Sequence, residues 1–98
     1  MLTQNQITAL SETLHLMGEP NRLKLLLSCL QGSQSVSELA KQLDLSVPLT
    51  SHHLRLLRSA RLLVAKRKGK HIYHDIFDTH VRCILEDMLK HFTEEKEN

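Results

Sequence analysis

Sixty residues of helix-spaced apolar side chains give way at Leu62 to strand-like spacing, which limits this chain to a helical body carrying one hairpin. Ile7, Leu10, Leu14 and Met17 recur at helical intervals behind Thr3-Gln4-Asn5-Gln6, a capping-box pattern, and Gly18 marks the stop. Pro20 suits the first turn of a second helix, running through Leu23, Leu26, Leu27 and Leu30 to Gly32. Ser35-Val36-Ser37-Glu38 is another capping box and opens a short helix ending near Leu43. Asp44-Leu45-Ser46 makes a turn, and Ser46 caps a helix running to about Ala60, with Pro48 tolerated in its first turn. Leu62 to Lys66 reads as a strand, Arg67-Lys68-Gly69-Lys70 as a charged turn, and His71 to Ile76 as a second strand with Ile72, His74 and Ile76 on one side. Asp78 caps a last helix striped with Val81, Ile84, Leu85, Met88 and Phe92. The order is helix, helix, helix-turn-helix (about 36–60), hairpin (about 62–76), helix (about 78–94). It predicts a winged helix-turn-helix, mainly α with a β-hairpin.

At 98 residues there is room for one domain, here expected to span 1–98. With no Trp, one Tyr and two Phe, its core must be built from leucine and other aliphatics. A core that small makes a dimer interface a reasonable expectation. No apolar run approaches the roughly 18 residues that span a bilayer, so the chain is expected to be cytoplasmic, with no membrane partner. Cys29 and Cys83 stand far apart and form no CxxC, which argues against a disulfide framework or a thiolate zinc cluster.

The net charge of +2 hides a strong asymmetry. From Leu45 to His74 there is no Asp or Glu, yet Arg55, Arg58, Arg61, Lys66, Arg67, Lys68 and Lys70, seven of the thirteen basic residues, fall inside that stretch. After Leu85 the balance reverses, with Glu86, Asp87, Glu94, Glu95 and Glu97. A basic middle points to a polyanion partner, and the motif order makes that partner double-stranded DNA. The second helix of a helix-turn-helix enters the major groove with the polar residues of its early turns. Here that helix begins Ser46-Val47-Pro48-Leu49-Thr50-Ser51-His52-His53, placing Thr50, Ser51, His52 and His53 towards base edges and Leu54 and Leu57 inward. Arg55 and Arg58 suit phosphates, and Lys66, Arg67, Lys68 and Lys70 form a wing along the adjacent backbone. No Gly-rich phosphate loop or nucleophile–base arrangement suggests an enzyme.

Several of these segments together resemble the ArsR/SmtB family of bacterial metal-sensing repressors. They are Glu19-Pro20-Asn21-Arg22, Val36-Ser37-Glu38-Leu39-Ala40, Leu45-Ser46, Ser51-His52-His53-Leu54-Arg55-Leu56-Leu57 and Lys68-Gly69-Lys70-His71-Ile72-Tyr73. The resemblance covers about Leu10 to Glu94. It implies a homodimer joined by the first and last helices that binds an imperfect inverted repeat and is released by an inducer metal. By position, the implied DNA contacts are Val47, Pro48, Ser51 and His52, although polar residues are frequent at the first two in close relatives.

The helix around Val36 to Leu43 and the amino-terminal segment lack the cysteines that a thiolate sensor would need. The last helix carries other donors: Asp78 and His80 at its start, His91 and Glu94 at its end, with Glu95 a possible substitute. His80 and His91 are eleven residues apart and share a face, but at 1.5 Å per residue they stand roughly 16 Å apart along the axis. One zinc, with bonds near 2 Å, cannot span that distance. Two such helices packed antiparallel would bring the start of one beside the end of the other, forming two O, N, N, O sites per dimer. These suit zinc, with cobalt or nickel as substitutes. Asp-x-His followed by His-x-x-Glu resembles the inter-subunit zinc site of the SmtB-like sensors. That resemblance further implies a hydrogen bond from the free nitrogen of His91 to backbone near Arg61. Thiol oxidation at Cys83 or Cys29 is the competing signal.

Overall fold

The computed structural model of the chain describes residues 1–94. Its elements, in chain order, are α1 (Gln4–Met17), α2 (Pro20–Leu30), β1 (Gln34–Ser35), α3 (Val36–Leu43), α4 (Val47–Ser59), β2 (Leu63–Lys68), β3 (His71–Ile76) and α5 (Thr79–Thr93). The helix starts follow from their caps. Thr3 and Ser35 each accept from the backbone N–H three residues on, and Gln6 and Glu38 reciprocate to the cap N–H. Ser46 accepts from Leu49 N–H and Asp78 from Val81 N–H. Pro20 and Pro48 lie in first turns, where a missing N–H breaks no helical bond. Asp44 joins α3 to α4 with φ 55, a left-handed conformation that Asp adopts more readily than most side chains.

Two expectations need correction. The turn between the strands is two residues long, Gly69 and Lys70, because β2 continues through Lys68 to pair with His71. Gly69, at φ 63, occupies the first central position, which the II′ turn reserves for glycine. The hairpin is also joined by a third strand. Gln34 and Ser35 pair with His74 and Tyr73, giving the antiparallel order β1-β3-β2. Ser35 therefore closes the sheet and caps α3 at once, and its strand role left no alternation long enough to read.

Leu25, Leu26, Leu39, Leu54, Leu57 and Leu63 are all but excluded from solvent and tie α2, α3, α4 and the hairpin together. The aliphatic core expected from the scarcity of aromatics is what forms. Among the described residues, no helix is long and apolar enough to cross a membrane.

Candidate nucleic-acid interface and metal centre

The first turn of α4 projects from the body. Val47 is half exposed, and Pro48 and His52 are exposed while Ser51 is half-buried. Thr50 does not join them. It is fully buried and its hydroxyl donates to the Ser46 carbonyl at 2.8 Å, so the expected base contact is corrected to a core position. The helical period explains this, since Thr50, Leu54 and Leu57 fall on one inward stripe. His53 is likewise buried, with its Nδ1 3.5 Å from the Arg22 guanidinium, which also donates to the Leu16 carbonyl at 2.8 Å. Burial and Arg22 lower the His53 pKa, partly opposed by Glu19.

Arg55 and the wing cations Lys66, Arg67, Lys68 and Lys70 are exposed, and Lys68 Nζ lies 5.9 Å from the centre of the Tyr73 ring. Among the described residues, none of the seven cations of the acid-free stretch has a carboxylate within 4 Å. Arg58 is half-buried and bonds His74 Nε2 at 2.9 Å, linking α4 to β3. Burial first, and the Arg58 cation second, push the His74 pKa below its usual value. The sequence put His74 on one side of its strand with Ile72 and Ile76, without giving it a partner. An imidazole between Ile72 and Ile76 needs a polar partner, but the sequence alone does not say which basic residue of α4 supplies it.

At the start of α5, Asp78 Oδ1 accepts from Val81 N–H at 3.0 Å, while Oδ2 stands 3.6 Å from His80 Nδ1. The Val81 bond, with help from His80, holds the Asp78 carboxyl below its ordinary pKa. One carboxylate oxygen is thus used in the cap, and the other stands beside the exposed His80 imidazole. This donor pair fits a hard or borderline metal. At the far end His91 is exposed, its ring edge-on to Phe92 at 5.1 Å. The Glu94 N–H still donates to the Lys90 carbonyl at 2.9 Å, and its φ of −67 is helical although its ψ of 129 is not. A side chain's direction depends on its own φ and the preceding ψ, so Glu94 keeps the i, i+3 relation to His91. Glu95 lies outside the described residues. Among the described residues, no three His, Cys, Asp or Glu side chains come together within one protomer. Nor does any hydrogen bond join His91 to the Arg61 region; Arg61 instead lays its guanidinium over Phe77 at 5.5 Å.

Cys29 is buried and its thiol is pushed up to about 12, chiefly by burial, whereas Cys83 is exposed. Apolar side chains of α1 and α5 also face solvent, with Leu14, Ile84 and Met88 about half exposed and Phe92 78% exposed. With Leu23 and Leu27 they line a groove of about 510 Å³.

The arsR family of bacterial regulatory proteins matches residues 19–64, from the cap of α2 into β2. The transcriptional regulator NmtR of Mycobacterium tuberculosis is 33% identical over 81 residues, covering 83% of this chain and 68% of the relative. A transcriptional repressor SmtB homolog of Synechocystis is 29% identical over 94 residues, 96% of this chain and 71% of that one. Among solved structures, a homodimeric winged helix-turn-helix DNA-binding domain from Mycobacterium bovis, a possible ArsR-family regulator, superposes with a TM-score of 0.76. It is 21% identical, over 92% of this chain and 90% of the other. An exposed helix start, an uncompensated basic wing and these matches agree: the chain is a winged helix-turn-helix protein, not an enzyme, and belongs to the ArsR family of bacterial regulatory proteins.

Proposed function

We propose that this protein is a metal-responsive transcriptional repressor. In this reading it holds operator DNA as a homodimer joined through α1 and α5, and zinc bound between the two α5 helices releases it. The observation that carries the reading is the placing of donors on α5. Asp78 and His80 converge at one end, His91 and Glu94 share a face at the other, and no third donor joins either pair among the described residues. The exposed apolar faces of α1 and α5 supply the surface for the second copy. Cobalt and nickel accept the same donors.

Zinc, when bound, supplies a redox-inert tetrahedral cation. Asp78 offers Oδ2 while Oδ1 keeps the helix cap, so metal binding need not fray α5. His80 and the partner's His91 offer imidazole nitrogens, and the partner's Glu94 a carboxylate. Four protein donors leave no position for a reactive water, which suits regulation and not hydrolysis. On the DNA side, Val47, Pro48, Ser51 and His52 face the groove while Arg55, Arg58 and the wing lysines and Arg67 meet phosphates. Pinning both ends of α5 to the partner restricts how far apart the two α4 helices sit, and zinc must therefore bind the free dimer more tightly than the DNA-bound one.

The buried, poorly acidic Cys29 disfavours a thiol-oxidation signal there. Fluorescence anisotropy on a duplex from the upstream DNA, titrated with zinc, cobalt and nickel, tests the reading. Moving the bound form from 99% to 1% needs roughly 5.5 kcal/mol of coupling, so operator affinity should fall about 10⁴-fold with zinc at saturation. His91→Ala should bind the duplex as the parent does and ignore the metal. A His91→Ala protein that still leaves the duplex on zinc addition overturns the assignment.

A further inference from the structure

We propose that the cleft between α4 and the β2–β3 hairpin is a phosphodiester-binding site, in which Arg55 and Arg58 grip one backbone phosphate of a bound duplex and buried His74 aims the Arg58 guanidinium. The proposal rests on the DNA reading above and assigns a site and a positioning residue within it. The cleft measures about 280 Å³ and is lined by Ser51, Arg55, Arg58 and His74, with Val36, Ala65 and Ile72 completing its walls. Ser51, Arg55 and Arg58 stand at i, i+4 and i+7, so one side of α4 presents a hydroxyl and two guanidinium groups to the hairpin.

The electrostatics of Arg58 carry the argument. Its guanidinium is a donor only, so His74 Nε2, at 2.9 Å, must be the acceptor. The proton of the ring then sits on Nδ1 and the imidazole is neutral. Burial and the adjacent cation both favour that form. Arg58 is thus a half-buried cation held by an uncharged partner, with no carboxylate within 4 Å among the described residues. Asp75, adjacent to His74 in sequence, is on the other face of β3 and accepts from the Ser33 hydroxyl at 3.0 Å. Partly desolvated cations are ordinarily paired. Here the countercharge must arrive from outside, and a guanidinium fork matches phosphate oxygens in pairs.

His74 has its own anomaly. It is 1% exposed, and its Nδ1 makes no hydrogen bond of good geometry among the described residues, although the backbone of Gln34, its partner on β1, lies close enough to favour its protonated form. A buried unpartnered N–H weakens a fold. An aliphatic side chain at this place would continue the Ile72–Ile76 stripe without that penalty. The imidazole does what an aliphatic cannot: it fixes the direction of Arg58 without neutralising its charge.

The test measures anisotropy of the metal-free full chain on the upstream duplex and on a scrambled duplex, from about 50 to 200 mM salt. For Arg58→Gln, the slope of log affinity against log salt should become shallower by up to about 1.8, the complete loss of two phosphates per dimer at roughly 0.9 each. Affinity should fall by the same factor on both duplexes, because phosphate contacts carry no sequence information. His74→Leu, which changes no charge at neutral pH, should reproduce that shallower slope, and adding it to Arg58→Gln should have no further effect. His74→Gln, which retains an acceptor, should keep the parental slope even if its melting temperature drops. An Arg58→Gln slope equal to the parent's, or a folded His74→Leu with parental slope, overturns the proposal. If His74→Leu does not fold, a shallower slope in Arg58→Gln with rescue in His74→Gln supports it. Parent protein without salt-dependent binding to either duplex defeats the DNA reading itself, a distinct result.

Discussion

Mixing two damaged dimers separates a metal site shared between chains from one held within a chain. In the proposed homodimer each site takes Asp78 and His80 from one protomer and His91 and Glu94 from its partner. His80→Ala and His91→Ala homodimers each lose one ring from both sites. A heterodimer with one chain of each kind behaves differently: one site lacks both rings, and the other has all four donors. The geometry requires this, because His80 and His91 stand eleven residues and roughly 16 Å apart along α5, far beyond the reach of one ion. The full response needs about 5.5 kcal/mol, so one intact site should supply half, about 2.7 kcal/mol. That corresponds to roughly a 100-fold loss of operator affinity on adding zinc, against none for either parent variant. Differently tagged chains, co-expressed and purified through both tags, give the heterodimer. Its zinc content and anisotropy titration should show one ion and the intermediate response. A heterodimer that binds no zinc, or two ions, would refute the reasoning.

Other expectations follow from individual positions. Thr50→Val removes a buried hydroxyl bonded at 2.8 Å to Ser46, and should lower stability by about 1 kcal/mol while leaving discrimination between operator and scrambled duplex unchanged; altered discrimination would return Thr50 to the interface. Leu57→Ala, at a site with no solvent exposure, should cost about 2–5 kcal/mol in urea unfolding; a loss below 1 kcal/mol would show a looser core. Cys29, pushed up to about 12, should resist iodoacetamide at pH 8 until the protein is unfolded, as read by mass spectrometry. His53 and His74 both have lowered folded pKa values, so the unfolded chain binds more protons as the solution acidifies. Their contribution is complete above the unfolded value of about 6.5 and is lost as pH falls through the folded values. Urea midpoints should therefore drop between pH 7.5 and 5.5, and constant midpoints would contradict the assignment.

Much of this architecture is legible in the sequence because each helix start carries its own chemical mark. Thr3, Ser35, Ser46 and Asp78 all cap where expected, and Pro20 and Pro48 sit in the first turns. What escapes is long-range. β1 is two residues of Gln and Ser whose partner lies about forty residues on, and no local pattern encodes that pairing. Thr50 misleads because a hydroxyl suits both a base edge and a bond to its own helix, and the inward stripe decides between them. His74 illustrates the converse: its face was readable, but not that Arg58 would meet it. The donors of α5 are legible as residues, while the second chain that would unite them is not written in one sequence.

Anomalous diffraction at the zinc edge from crystals of the zinc-loaded protein would locate a metal held between protomers. Two peaks per dimer are expected, each touching Asp78 and His80 of one chain and the partner's His91 and Glu94. Peaks ligated within a single chain, or fully loaded crystals with none at α5, would contradict that arrangement.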